Sequence, residues 1–140
     1  MQLQLSLNII AMPNPSISEA ESQVMALLWQ SAPQGSEELV AALQPGTAWH
    51  ENTVRTLLNR LVRKGAVRAE REGRRYLYSP VLTREQWQAH ESRSLLDRVF
   101  GGKIAPLLVH FSRNEKLSAK DVAELRKLVD QLEKKERRRD

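Results

Sequence analysis

A chain of 140 residues is long enough for one compact domain of roughly 80 residues plus a smaller appendage, and too short for a typical two-domain enzyme. With 41% hydrophobic and 28% charged residues it has the balance of a folded soluble protein. It contains no cysteine, which excludes disulfides, thiolate catalysis and cysteine-based zinc or copper sites and accords with a reducing cytoplasm. The formal charge of +5 admits a nucleic-acid partner, and its distribution says more. Between Glu19 and Glu51 all five charged residues are acidic, whereas between Arg55 and Arg75 eight basic residues face only Glu70 and Glu72. Positive charge is gathered where a ligand can use it.

Residues 1–15 hold a short apolar run without the basic n-region and long hydrophobic stretch of a secretory signal, so they read as a flexible leader in which Met12 is a second candidate start. No apolar run is long enough to span a bilayer. Ser18-Glu19-Ala20-Glu21 is a capping box, and Ala20, Val24, Leu27 and Leu28 follow at helical spacing, so a first helix ends near Gln30, before Pro33 and Gly35. Ser36 is expected to cap a short second helix carrying Leu39, Val40 and Leu43, stopped by Pro45-Gly46. The third helix spans about 51–64, because Val54, Leu57, Leu58, Leu61 and Val62 make an apolar stripe and Gly65 stands at the C-terminal cap.

The period then changes from helical to alternating. Residues 66–71 and 74–78 form two strands around a turn at Glu72-Gly73, and the hairpin must lay Val67, Tyr76, Tyr78 or their neighbours on the helices, since a lone hairpin is unstable. Beyond Pro80, Thr83-Arg84-Glu85-Gln86 is a second capping box for a long helix through Leu95, Leu96, Val99 and Phe100 to Gly101-Gly102. Ile104, Leu107, Leu108 and Phe111 mark another helix. After Ser118 a last one carries Val122, Leu125, Leu128, Val129 and Leu132 and a basic end from Lys134 to Arg139. These three helices have apolar faces but too little mass for a core of their own, so pairing of two chains is expected. The fold class is mainly α with a small β-hairpin: a winged helix-turn-helix DNA-binding domain over 16–81 and a helical dimerisation domain over 82–140.

On the third helix, the side opposite the apolar stripe displays Asn52, Thr56, Asn59, Arg60 and Arg63, with Arg55 on the flank and Thr53 beside it. Arginine matches guanine O6 and N7 and asparagine matches adenine N6 and N7; a recognition helix enters the major groove N-terminal end first. Asn52, Arg55 and Thr56 therefore face bases, and Asn59, Arg60 and Arg63 lie nearer phosphates. Arg71, Arg74 and Arg75 flank Gly73 at the hairpin tip and form a phosphate clamp. Trp49 combines a core anchor with an indole N–H able to meet a phosphate, while Trp29, Tyr76 and Tyr78 read as core anchors. His50, His90 and His110 stand apart without metal-ligand spacing, and no nucleophile elbow or Gly-rich phosphate loop is present. The expectation is no enzyme, no metal and no cofactor. The alternative reading is a winged-helix adaptor that docks a protein and uses its basic surface incidentally.

The combination of Ile17-Ser18-Glu19-Ala20-Glu21, Leu28-Trp29, Trp49, Thr53 to Leu61, Lys64-Gly65, Tyr76 to Pro80, Phe100-Gly101-Gly102, Phe111 and Leu117-Ser118 strongly resembles the penicillinase and methicillin-resistance repressor family. The resemblance implies a dimeric repressor whose winged helices bind a palindromic operator and whose C-terminal helices interlock, controlling beta-lactamase or related stress genes. It also implies release by a regulatory protease that follows a membrane sensor and cuts an Asn-Phe bond after the glycine pair. Here Lys103-Ile104 occupies that place, which departs from the pattern and keeps only its apolar half. Asn52 stands where the family commonly has lysine, and the C-terminal cysteine cluster of the copper-responsive branch is missing.

Overall fold

The first amides of a helix have no intrahelical acceptor, and in this chain nearby side chains supply one. The structure, a computed structural model, describes residues 16–139; the leader and the candidate start at Met12 lie outside the described residues. Helix α1 (Glu19–Gln30) begins with the expected capping box: Glu21 N–H donates to Ser18 Oγ at 3.1 Å and Ser18 N–H donates to Glu21 Oε1 at 2.8 Å. Helix α2 (Ser36–Leu43) differs from expectation, because its N-cap is Gly35 and Ser36 is the first helical residue. Glu38 accounts for the shift, since its Oε2 accepts the Gly35 N–H at 2.6 Å.

Helix α3 (Glu51–Arg63) crosses both, and α1 and α2 pack against it. Val24, Met25, Leu28, Leu39, Leu43, Val54, Leu57, Leu58 and Leu61 are all buried between the three helices. Each large side chain taken from water there contributes about 1.5–3 kcal/mol, so this interface dominates the stability of the unit. Val62, expected on the stripe, is instead 38% exposed. It stands eight positions beyond Val54, about 80° round the helix, at the edge of the packed arc.

α3 ends in a Schellman motif: Ala66 N–H donates to Leu61 O at 2.9 Å, Gly65 N–H to Val62 O at 3.0 Å, and Gly65 has φ 78°. Strands β1 (Val67–Glu72) and β2 (Arg75–Pro80) follow as an antiparallel hairpin, with Val67 opposite Pro80 and Glu72 opposite Arg75. The connection is therefore Gly73-Arg74, one residue later than the composition suggests. Gly73 has φ 65° and Arg74 has no positive φ, so the turn is type II′, the form that takes glycine first. Val67 and Tyr78 are buried on the helices, but Tyr76, paired with Arg71 nearer the tip, is 51% exposed and is not a core anchor. A third, single-residue rung escapes sequence reading: Gln34 and Tyr78 exchange backbone hydrogen bonds of 3.1 and 2.8 Å.

The chain forms two compact units that meet in sequence between Ser92 and Arg93. Helix α4 (Arg84–Val99) crosses that point. Its start is capped by Thr83, whose Oγ accepts Gln86 N–H at 3.1 Å, and its first turns belong with the N-terminal unit through Trp87, whose ring lies 5.4 Å from that of Trp29. Trp29 Nε1 donates to Leu82 O at 2.9 Å, and Leu82 is buried. The C-terminal unit holds the rest of α4, α5 (Ile104–Asn114) and α6 (Ala119–Arg139); no described residue of α5 or α6 is buried. None of the described helices is long and apolar enough to cross a membrane.

Candidate nucleic-acid interface

The side of α3 left over by core packing is hydrophilic along its whole length. Asn52, Thr53, Arg55, Thr56, Asn59, Arg60 and Arg63 are all exposed, while Val54, Leu57, Leu58 and Leu61 turn inward. A strongly amphipathic helix of this kind fixes the roll of its polar face, because any rotation unburies leucine. The one carboxylate on the helix, Glu51, lies 2.6 Å from the Arg55 guanidinium one turn on; the pair is exposed, and Glu51 has no backbone hydrogen bond holding it as Gly35 holds Glu38, so a base edge can displace it. Thr56 Oγ donates to Asn52 O at 2.9 Å and keeps its lone pairs for an outside donor. Arg60 and Arg63 sit in the last turn, where the helix dipole favours cations.

Lys64 and Gly65 hold this helix in place. Lys64 Nζ reaches Glu21 Oε1 at 2.6 Å, and that carboxylate is only 2% exposed. Burial pushes the Glu21 carboxyl up, but hydrogen bonds from Lys64 and from the Ser18 amide and hydroxyl, with the charge of Lys64, outweigh it and leave the group below its usual range. Ala66 O, immediately after, accepts from Val81 and Leu82 N–H at 2.8 and 3.0 Å and ties the end of α3 to the end of the hairpin.

A cleft of about 370 Å³ runs between α3, the hairpin and the start of α2, lined by Gly35, Ser36, Glu37, Arg55, Asn59, Arg74, Arg75, Tyr76 and Tyr78. The structure thus brings four sequence-predicted residues, Arg55, Asn59, Arg74 and Arg75, to one concave surface. Asn52, Thr53, Thr56, Arg60 and Arg63 remain on the open face of α3, and Arg71 stays at the tip with its Nε donating to Gly73 O at 3.2 Å. Trp49 is half-buried against the core, its backbone N–H 3.4 Å from Thr47 Oγ. Arg75 is not free: its Nη1 lies 2.7 Å from Glu38 Oε1. The Gly35 amide, then Arg75, hold the Glu38 carboxyl below its ordinary value. Burial raises the Tyr78 hydroxyl pKa, partly opposed by the charge of Arg55, so Tyr78 stays a neutral donor at physiological pH. Sequence reasoning missed Glu38, and it gave Ser36 and Tyr76, which line the cleft, to capping and to the core. The signal for Glu38 was its capping-box distance of three from Gly35, obscured by taking Ser36 as the cap.

In the C-terminal unit the residues expected to dimerise remain uncovered within one chain. Leu95, Val99, Ile104, Phe111, Val122, Leu128, Val129 and Leu132 are exposed, Leu96, Phe100, Leu107, Leu108 and Leu125 are half-buried, and Val109 joins them as an exposed apolar residue. Lys103 is the N-cap of α5, and the adjoining Ile104 is 61% exposed.

Three helices whose third turns a cationic, amide-rich face outward beside a glycine-turned hairpin define a winged helix-turn-helix domain. The family model described as Penicillinase repressor matches residues 17–131, and the chain belongs to that family of regulators. The penicillinase repressor of Bacillus licheniformis is 30% identical over 117 residues, covering 84% of this chain and 91% of the relative. The penicillinase repressor of Staphylococcus aureus is 29% identical, covering 85% and 94%. Among solved structures, that of Bacillus licheniformis BlaI in its monomeric form with the blaP half-operator is similar at 33% identity and a TM-score of 0.46, over 54% of this chain and 93% of that one.

Proposed function

We propose that this chain is a cytoplasmic transcriptional repressor that binds a palindromic operator in double-stranded DNA as a homodimer and acts by occupancy rather than catalysis. The observation that carries the reading is the outward face of α3, on which amide, hydroxyl and guanidinium groups stand together and the one carboxylate of the helix, Glu51, is paired with Arg55. Asn52, Arg55 and Thr56 read base edges; Asn59, Arg60, Arg63 and Trp49 meet the sugar-phosphate backbone, and Arg71 and Arg74 reach it from the hairpin. Membership of the penicillinase repressor family favours repression over activation, with beta-lactamase or related stress-response genes as the regulated class.

Dimerisation is supported by the apolar side chains left exposed on α4, α5 and α6. Two recognition helices on one body then engage two half-sites an integral number of turns apart. A regulatory protease that cut Lys103–Ile104, at the exposed start of α5, would separate most of the dimerisation helices from the reader and release the operator.

Fluorescence-anisotropy titration of a random-sequence duplex at two salt concentrations tests the reading. The four arginines each protomer places on phosphates, Arg60, Arg63, Arg71 and Arg74, give a log–log salt slope of about −3.6 per protomer. A chain that docks proteins instead leaves the duplex unbound at low salt.

A further inference from the structure

We infer that Arg75 is a positioning residue of the wing, latched to Glu38 at the start of α2, and not one of the wing's phosphate ligands. The inference rests on the DNA-binding reading and sharpens it, since sequence alone places Arg75 in the clamp with Arg71 and Arg74.

Three observations converge on the latch. Arg75 Nη1 donates to Glu38 Oε1 at 2.7 Å, across a sequence separation of 37 residues. The other carboxylate oxygen, Oε2, accepts Gly35 N–H at 2.6 Å, so both oxygens of Glu38 are used, one to cap α2 and one to hold the hairpin. Gly35 leaves room for the approach, because a Cβ there would lie 3.1 Å from Arg75 Nη1 and displace the guanidinium by a few tenths of an ångström. Nearby, Gln34 and Tyr78 exchange backbone hydrogen bonds, so β2 is fastened at two points, by backbone to the α1–α2 connection and by an ion pair to the first turn of α2.

Arg74 occupies the second position of the hairpin turn, next to Arg75, lines the cleft, and has no ion pair among the described residues. Fixing the first residue of β2 fixes the direction in which Arg74 leaves the turn. Arg75 spends its guanidinium on Glu38 so that Arg74 can present its own to a phosphate. An ion pair this exposed adds little to global stability, with side chains 52% and 44% accessible; its effect falls on the placement of the tip.

The test is a double-mutant cycle on the full chain, read as affinity for a random-sequence duplex of roughly 30 base pairs at low salt. Glu38→Gln leaves a single oxygen for two donors, and Arg75→Gln removes the charged partner; both variants are expected to weaken binding about fivefold, and Arg75→Lys to restore part of the loss. In an Arg74→Ala background neither change should cost more than about 1.5-fold, because the contact they position is already gone. Tighter binding by Glu38→Gln, the sign that simple removal of a negative charge predicts, overturns the latch, as does an unchanged affinity. A loss equal in both backgrounds overturns it too, since that is general damage to the domain. A wild-type chain that ignores DNA ends the repressor reading itself, whereas the latch fails alone when the wild type binds and the cycle comes out otherwise.

Discussion

Lys64 Nζ lies 2.6 Å from Glu21 Oε1 and ties the C-terminal end of α3 to the first turn of α1. The two partners are unequal: the carboxylate is buried and the ammonium is 30% accessible. Removing the lysine therefore strands a charge in the interior, while removing the carboxylate returns an ammonium toward water.

This asymmetry has a pH signature. The folded Glu21 carboxyl titrates below its unfolded value, because hydrogen bonds from Lys64 and Ser18 outweigh the upward push of burial. Its contribution is then complete above the unfolded carboxylate range of about 4.3 and is lost as pH falls through the lower folded value. Urea unfolding at neutral pH should show Lys64→Met destabilised by about 3 kcal/mol and Glu21→Gln by less. The gap between wild type and Glu21→Gln should narrow as pH drops below about 4. A gap that stays constant with pH contradicts the assignment.

Gly65→Ala should cost about 1–2 kcal/mol, since φ 78° is a left-handed conformation that a Cβ opposes. Gly46→Ala serves as the control, with no atom within 4 Å of the added Cβ and no positive φ. Chemical denaturation of both variants checks the contrast, and equal losses at the two sites would speak against the Schellman turn.

On the reading face, Arg55→Ala should relax sequence preference by roughly 1–3 kcal/mol, whereas Arg63→Ala should weaken specific and scrambled duplexes alike and reduce the salt slope by about one. Titrations on both duplexes at two salt concentrations separate the cases. Equal losses on both for Arg55→Ala would count against base reading.

Leu132→Asp combined with Val129→Asp places charge on the exposed stripe of α6, where both side chains are about half accessible. Sedimentation equilibrium should report a monomer, and operator affinity should fall by at least about a hundredfold through loss of effective concentration. A variant that stays dimeric moves the interface away from this stripe.

Much of this architecture was legible in the residues. The spacing of Val54, Leu57, Leu58 and Leu61 fixed which side of α3 turns outward, and Ser18 and Thr83 with their acceptors three positions on marked the starts of α1 and α4. What stayed hidden depends on partners far apart in sequence. Arg75 reads as one more wing cation until Glu38, 37 residues away, is found beside it. Gln34 carries no strand signal of its own and acquires its rung from Tyr78. Tyr76 has the same alternation as Tyr78, and only the position of the core's edge separates them. Local patterns record periodicity and capping; they do not record where a packed surface stops.

The central claim, that the polar side of α3 reads DNA from a two-fold body, is tested most directly by sequencing genomic fragments retained on the purified full-length chain. The account predicts enrichment of an inverted repeat whose half-site centres lie one or two helical turns apart, and loss of that motif with Asn52→Ala/Arg55→Ala. Retained fragments without a shared motif, or a motif unchanged by that double substitution, would contradict it.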